Sequence, residues 1–232
     1  MPGAADRFAI LCMGRTGSTL LVDLLDSHPG IECRGEIFGP REGLVETPHV
    51  PRRDFLSHAA WRTAKPVKGF KMADYWIPNH PGLVDDVKEL GFRFVRLRRD
   101  DVLAQFVSMK LAILNSNWES RETYQNKTLE VDAGEFVAFA SDRDRQEAWM
   151  DGLCRGTPTV QIEYGQLLDP RAQARILDFL GVRRAGPLRL RHHRLRAGRI
   201  KALDVPLRQA IRNWGDLRRE VDGSPLERFL RN

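Results

Sequence analysis

The sequence is short of the features that mark secreted, membrane-spanning and metal-binding proteins. Its three cysteines, Cys12, Cys33 and Cys154, form neither a paired framework nor a metal-ligand spacing, and no acidic cluster has such a spacing either. The longest apolar run near the beginning, residues 8–13, is far shorter than the roughly 20 residues that cross a bilayer. A basic leader with a small-residue cleavage site is also missing. We therefore expect a cytoplasmic protein with reduced thiols and no metal ion.

Size and composition are those of an ordinary globular protein that carries one basic segment. The 232 residues are 42% hydrophobic and 29% charged, which is enough for one α/β domain with a buried core. We therefore expect a single domain over residues 1–232. Eight Lys or Arg residues, two histidines and no acid lie between Arg183 and Lys201. Such a block indicates an anionic partner or a solvated face.

Strand-like and helix-like patterns alternate along the chain. Apolar runs predict strands over residues 7–13, 67–72, 92–97 and 159–163. Helical spacing and capping residues predict helices from Ser18, over 81–90, after Asp100 or Asp101, over 133–154 and over 171–180. This alternation predicts a three-layer α/β/α fold with a central parallel sheet. The proline-rich stretch 39–54 is predicted to be a surface loop.

A glycine-containing segment, Met13-Gly-Arg-Thr-Gly-Ser-Thr-Leu20, lies between the first predicted strand and its helix. Unsatisfied N–H groups at a helix start attract anions, glycines allow close approach, and arginine and hydroxyl side chains add donors. A plain connecting turn is the alternative. The segment is not a Walker A loop, because the Gly-Lys-Ser/Thr ending is missing. A P-loop kinase or ATPase of the usual kind would therefore lack its phosphate-binding lysine and its magnesium ligand.

The segment resembles the 5'-phosphosulfate loop of sulfotransferases, in the arginine-containing form of bacterial carbohydrate sulfotransferases. Further motifs follow in order and resemble the nodulation-factor and trehalose sulfotransferases. They are His28-Pro29, Gly35-Glu-Ile-Phe38, Gly69-Phe-Lys71, Leu97-Arg-Arg-Asp-Asp-Val-Leu-Ala-Gln-Phe-Val-Ser108, Ile162-Glu-Tyr164 and Ile211-Arg-Asn-Trp214. The resemblance implies a P-loop-like sulfotransferase fold and transfer of a sulfuryl group from PAPS (3'-phosphoadenosine-5'-phosphosulfate) to an acceptor hydroxyl, with PAP as the second product.

The resemblance also implies which residues bind the donor. The 5'-phosphosulfate would lie on the glycine loop, which we define as Gly14, Arg15, Thr16, Gly17, Ser18 and Thr19. The 3'-phosphate would bind Arg99 and Ser108, with Arg98 as an alternative to Arg99. Ser108 lies about two helical turns after Asp101, so it can face the strand end. In the absence of the resemblance, the two arginines would be interpreted as surface charges.

Three residues are assigned to the chemistry by the same resemblance. Glu36 would be the general base that takes the acceptor proton, with a salt bridge to Arg34 as the structural alternative. Arg15 would neutralise charge on the leaving oxygen. Lys71 would contact the sulfuryl oxygens, or would be a strand-end lysine with its charge in solvent.

The acceptor is expected to be a carbohydrate or glycolipid hydroxyl, again by resemblance. Its contacts would come from residues 39–65 and 115–131, where Trp61, Trp118 and Tyr124 can stack on sugar rings or serve local packing.

Two other classes of function remain open from the residues. One is a nucleotide-dependent phosphotransferase with a degenerate P-loop. The other is a nucleic-acid-binding protein that uses the basic block 183–201, although no helix-turn-helix, zinc-finger or RNP-like motif accompanies it.

Overall fold

Strands and helices alternate through the part of the chain that the computed structural model describes, residues 6–38, 50–118, 124–183, 188, 205–224 and 227–230. The strands are β1 (Asp6–Cys12), β2 (Ile31–Arg34), β3 (Val67–Ala73), β4 (Arg93–Arg98) and β5 (Thr159–Glu163). The helices are α1 (Ser18–Asp26), α2 (Arg52–Asp54), α3 (Leu83–Glu89), α4 (Val102–Leu114), α5 (Ala133–Cys154), α6 (Pro170–Phe179), α7 (Leu207–Ala210) and α8 (Trp214–Val221). A π-helical turn, Phe55–Ala59, continues α2, so the predicted loop 39–54 gives way to helix at its end, and residues 39–49 lie outside the described part.

The five strands form one parallel sheet in the order β2-β3-β1-β4-β5. Residues 8–12 of the central strand β1 are fully buried, so both faces of this strand are covered. The predicted α/β fold with a central parallel sheet is confirmed. Both sides of β1 carry neighbours that come later in the chain, which is the arrangement that leaves a ligand crevice at the carboxyl ends of the strands.

The edge strand β2 was not predicted, because it has only four residues and two of them are charged. Glu32 nevertheless faces the interior and is 4% exposed. Its carboxylate accepts hydrogen bonds from Arg62 N (2.7 Å), Thr63 N (2.9 Å), Thr63 Oγ1 (2.7 Å) and Lys68 Nζ (3.0 Å). A buried charge is tolerated when it is fully paired, so this strand carries an inward acid that the sequence pattern assigns to the surface.

By proximity of Cα atoms the chain divides into two compact units. The first comprises Met1–Arg98 and Trp149–His192, and the second comprises Arg99–Ala148 and His193–Asn232. The expectation of one domain over residues 1–232 stays a prediction.

The first unit contains the whole sheet. One face of the sheet packs against the π-helical turn and α3 through a cluster of buried side chains, including Leu11, Phe70, Leu56, Val87 and Phe94. A Cβ on Gly69 of β3 would lie 2.1 Å from Phe8 Cζ, so the glycine of the Gly-Phe-Lys motif makes room for the neighbouring strand's phenylalanine.

The second unit is built on α4, with Asp101 as its N-cap accepting a hydrogen bond from Ala104 N at 2.9 Å. Its core joins α4 to the first part of α5 and to α7 and α8. Asn213, from the last motif of the resemblance, bonds both backbone groups of Val131 at 2.9 Å. This part of the motif therefore stabilises the unit's own packing.

Within the described ranges, no helix has the length and apolar character needed to span a bilayer. The same residues contain no group of three or more His, Cys, Asp or Glu side chains arranged to hold a metal ion.

Candidate functional site

The carboxyl ends of β1 and β3 meet at one edge of the sheet, because Cys12 pairs with Ala73 in the parallel register. The glycine loop follows β1 at this edge. Pairing with β2 extends past its last residue, since Lys71 N donates to Gly35 O at 3.1 Å. The residues that follow β1, β2 and β3 therefore lie together at this edge of the sheet.

The backbone of the glycine loop is shaped for a tight turn into α1. Arg15 (φ 61°) and Gly17 (φ 85°) both have left-handed conformations, which glycine adopts without steric cost. A Cβ on Gly17 would lie 2.5 Å from Cδ2 of Tyr164, so any larger residue there would also displace that ring. The N-cap of α1 is Gly17, which has no side chain to bond the first N–H groups of the helix, and such groups suit the anion that the sequence predicts.

Two hydrogen bonds connect the glycine loop to the residues around it. The fully buried Thr16 donates its hydroxyl to Met13 O at 2.8 Å. Gly14 N donates to Asp74 Oδ1 at 3.2 Å, and burial raises the pKa of that carboxyl above its usual range. The Thr16 hydroxyl already donates its proton to Met13 O. The group of Thr16 that suits an anion is therefore its backbone N–H. Ser18 is buried and Thr19 is exposed. Their contacts with the sulfuryl donor stay predictions.

Glu36 lies in a cluster of donors beside this loop. Lys71 Nζ is 2.7 Å from its Oε1, and the Tyr75 hydroxyl donates to the same oxygen. Trp76 Nε1 donates to Oε2 at 2.7 Å. The carboxylate is thus paired with Lys71, whereas the sequence analysis considered Arg34 as its salt-bridge partner. Glu36 and Lys71, assigned separately to the chemistry, are brought into direct contact.

The cluster keeps Glu36 ionised. Burial raises the pKa of its carboxyl, but the Lys71 charge and the hydrogen bonds from Lys71, Tyr75 and Trp76 together lower it below the ordinary value of 4.5. The side chain is 22% exposed, so a solute can reach it. At neutral pH Glu36 is an anion that can accept a proton, and its low pKa makes it a weak base until a substrate changes its surroundings.

Tyr75 connects this cluster to the glycine loop. Its Cε1 lies 3.9 Å from the position of a Cβ on Gly14, while its hydroxyl reaches Glu36. Sequence reasoning missed Tyr75, Trp76 and the packing of Tyr164 against Gly17. The available signal was an aromatic pair directly after a predicted strand, at the edge where α/β proteins bind ligands.

Arg99 and Ser108, the predicted 3'-phosphate ligands, belong to the second unit and are both partly buried. Arg143 of α5 donates to the carbonyl of Arg99, and it also bonds Gln105 Oε1 at 3.0 Å. The backbone at Arg99 is therefore held in place within its unit. Arg98 forms an ion pair with Asp151 at 3.5 Å. The assignment of Arg99 and Ser108 stays a prediction.

The aromatic residues proposed for the acceptor differ in environment. Trp61 donates its Nε1 to Leu56 O at 2.8 Å and packs on the sheet, and Tyr124 is 2% exposed. Both serve local packing, which was one of the two alternatives. Trp118 is 52% exposed. The basic block 183–201 lies outside the described residues except for Arg183 and Leu188.

Two histidines have defined surroundings. His28 accepts from Gly30 N through Nδ1 at 3.0 Å, and its Nε2 lies 3.0 Å from Arg183 O, which is a structural role at the end of α1. The His80 ring packs against Phe38 (5.3 Å) and Trp76 (6.3 Å between centroids). His80 is therefore connected to the Glu36 cluster through Trp76.

No family model matches the chain. Nodulation protein H of Rhizobium tropici is 26% identical over 241 residues, covering 96% of this chain and 92% of that protein. Nodulation protein H of Rhizobium meliloti is also 26% identical over 241 residues, covering 96% and 94%.

Two solved structures are similar in fold. The crystal structure of a sulfotransferase from Alicyclobacillus acidocaldarius aligns with a TM-score of 0.49 and 14% identity, over 81% of this chain and 85% of that one. Mouse sulfotransferase SULT7A1, complexed with PAP, gives a TM-score of 0.49 and 14% identity over 98% and 87%. At these scores neither likeness supports a conclusion about function.

The similarity to Nodulation protein H extends over nearly the whole chain, as the order of the motifs does. These two relatives agree with the resemblance to the nodulation-factor enzymes that the sequence motifs carry.

Proposed function

We propose that this chain transfers a sulfuryl group from PAPS to an acceptor hydroxyl, with Glu36 as the general base. The observation that carries the proposal is the contact of a reachable carboxylate with Lys71 and, through Tyr75, with the glycine loop. This arrangement combines a proton acceptor, a cation and an anion-binding turn in one unit. Those are the groups that sulfuryl transfer to oxygen requires.

The glycine loop would bind the 5'-phosphosulfate through its backbone N–H groups and the N-terminus of α1. The acceptor proton would pass to Glu36 while the acceptor oxygen forms a bond to sulfur. The bond between sulfur and the bridging phosphate oxygen would break, and its electron pair would leave with PAP. Arg15 and Lys71 would neutralise the charge that develops on the transferring and leaving oxygens.

We also propose the chemical class of the acceptor, a carbohydrate hydroxyl. A carbohydrate hydroxyl is supported by the resemblance of the motifs to the nodulation-factor and trehalose sulfotransferases. Trp118 and Tyr75, both about half exposed, are the aromatic side chains best placed to contact a solute in their respective units.

The donor is tested by thermal unfolding with PAP, 5'-AMP and ATP. We expect PAP to raise the melting temperature most, because a ligand that binds only the folded state stabilises it. Equal shifts for PAP and 5'-AMP would contradict a dedicated 3'-phosphate site. The absence of a PAP shift at saturating concentration would overturn the proposal, and stabilisation by magnesium and ATP alone would favour a phosphotransferase.

The 3'-phosphate ligands are tested by the double change Arg99→Ala and Ser108→Ala. Loss of a charge-assisted hydrogen bond costs about 1.5–3 kcal/mol, so we expect PAP to bind roughly 10- to 100-fold more weakly by calorimetry. Affinity for 5'-AMP, which lacks the 3'-phosphate, should not change and serves as the control. Unchanged PAP affinity would show that Arg99 and Ser108 do not bind the 3'-phosphate.

A further inference from the structure

The two oxygens of the Glu36 carboxylate have different numbers of donors. Oε1 is ion-paired with Lys71 and accepts from Tyr75, whereas Oε2 accepts only from Trp76 among the described residues. A carboxylate offers about four lone-pair positions, two on each oxygen. The two donors occupy Oε1, so the position that remains for a further hydrogen bond is on Oε2.

The three donors come from one continuous segment, the end of β3 and the turn that follows it. Asp74 N donates to Cys12 O at 3.0 Å, which fastens the start of the turn to β1. Trp76 N donates to Ala73 O at 3.0 Å, which closes the turn. The rings of Tyr75 and Trp76 lie 5.7 Å apart. Because the turn is tied to the sheet, its donors hold the carboxylate in one orientation.

We propose that Tyr75 and Trp76 are positioning residues that fix the Glu36 carboxylate and leave Oε2 as the atom that takes the acceptor's proton. We call Lys71, Tyr75 and Trp76 the carboxylate clamp. This inference rests on the proposed function for the identity of the proton donor. The clamp itself is a property of the structure that can be measured without any acceptor.

The clamp has two effects with opposite consequences for the rate. It stabilises the carboxylate anion, which makes Glu36 a weaker base, and it orients Oε2, which makes proton transfer more efficient. Removing one donor should therefore strengthen the base and at the same time release its orientation. A loss of turnover together with a more basic Glu36 would identify positioning as the dominant effect.

The first experiment follows the ¹³Cδ resonance of Glu36 against pH in labelled protein, assigned by its disappearance in Glu36→Gln. Tyr75→Phe removes one donor and keeps the ring, and Trp76→Phe removes one donor and exchanges the indole for a phenyl ring. We expect the titration midpoint of Glu36 to rise in both variants. Among the titratable groups that act on this carboxylate, Lys71 and Cys12 stay in place in both variants, and Tyr75 stays in place in Trp76→Phe.

Trp61→Phe is the matched control for this experiment. It also exchanges an indole for a phenyl ring and removes one N–H donor, but the acceptor of that bond is the Leu56 carbonyl. The Glu36 midpoint should not change in this variant. If the midpoint also stayed unchanged in folded Tyr75→Phe and Trp76→Phe, the clamp would be overturned.

The second experiment measures turnover with PAPS and a panel of soluble sugars, including trehalose, as acceptor probes. Displacing a catalytic group by about 1 Å can cost 10²-fold, so we expect kcat to fall roughly 10- to 100-fold in both clamp variants. The dissociation constant of PAP should be unchanged. Full turnover with a raised midpoint would overturn the positioning role.

The two experiments separate this inference from the proposed function. If the unchanged protein bound PAP but sulfated no hydroxyl, the proposed transfer would fail. A raised Glu36 midpoint in the two variants would still support the clamp.

Discussion

Two glutamate–lysine pairs join the β2 side of the sheet to β3, and they differ in how completely each carboxylate is satisfied. Glu32 and Lys68 face each other in the strand register, with side chains 5% and 9% exposed. Glu36 and Lys71 lie past the end of β2, with side chains 22% and 12% exposed. Four hydrogen bonds reach Glu32, and three donors reach Glu36.

Glu32, a structural acid, and Glu36, a candidate catalytic acid, do not differ in charge state. Burial raises the pKa of Glu32, but hydrogen bonds from Thr63, Arg62 and Lys68 outweigh it and hold the pKa at about 2. The pKa of Glu36 is also lowered. Both acids are therefore ionised at neutral pH. What differs is access, because the Glu36 side chain is 22% exposed and the Glu32 side chain is 5% exposed.

The largest expected difference between the two glutamates is in the effect of their substitution on turnover. Glu36→Gln keeps the size of the side chain but cannot take a proton, so we expect kcat to fall by roughly 10²- to 10⁴-fold. The PAP-induced rise in melting temperature should be nearly unchanged. Rates and melting are measured on one preparation with PAPS and the sugar panel. Preserved turnover would remove Glu36 from the mechanism and make His80, which packs against Trp76, the next candidate for the base.

The second expected difference is in stability. Glu32→Gln leaves Lys68 buried without its counter-charge, and breaking a buried pair in this way costs about 3–5 kcal/mol. We expect the free energy of unfolding in urea to fall by that amount, and to fall less in Glu36→Gln, because the Glu36–Lys71 pair is the more exposed of the two. Folded Glu32→Gln should keep normal turnover. Equal losses of stability in the two variants would contradict the structural assignment of Glu32.

The smallest expected effect is the change in the free energy of unfolding as the pH falls into the acid range. The pKa of Glu32 is lower in the folded chain than its ordinary value of 4.5, so its contribution is fully present above that pH. The contribution is lost as the pH falls from about 4.5 through about 2. We expect urea unfolding midpoints to decrease over this window and to decrease less steeply in Glu32→Gln. Parallel pH profiles of the two proteins would show that Glu32 is not the group responsible.

Local sequence patterns predicted most of the fold because they depend on neighbours in the chain. Four of the five strands and the helices α1, α3, α4, α5 and α6 lie where apolar spacing and capping residues indicated. Asp101 caps α4 as one of two candidates, and α5 has the predicted bounds. The glycine loop was found because its glycines, arginine and hydroxyls are contiguous. These features are determined by residues a few positions apart.

The remaining features depend on which strands become neighbours, and only the tertiary structure decided them. Because β3 lies between β1 and β2, Lys71 reaches Glu36 and the following turn reaches the glycine loop. The same order buries Glu32 against Lys68, so two acids of similar sequence context have different environments. The sequence alone determined that a glycine-containing loop follows the first strand. The lateral order of the strands determined which carboxylate stands beside it.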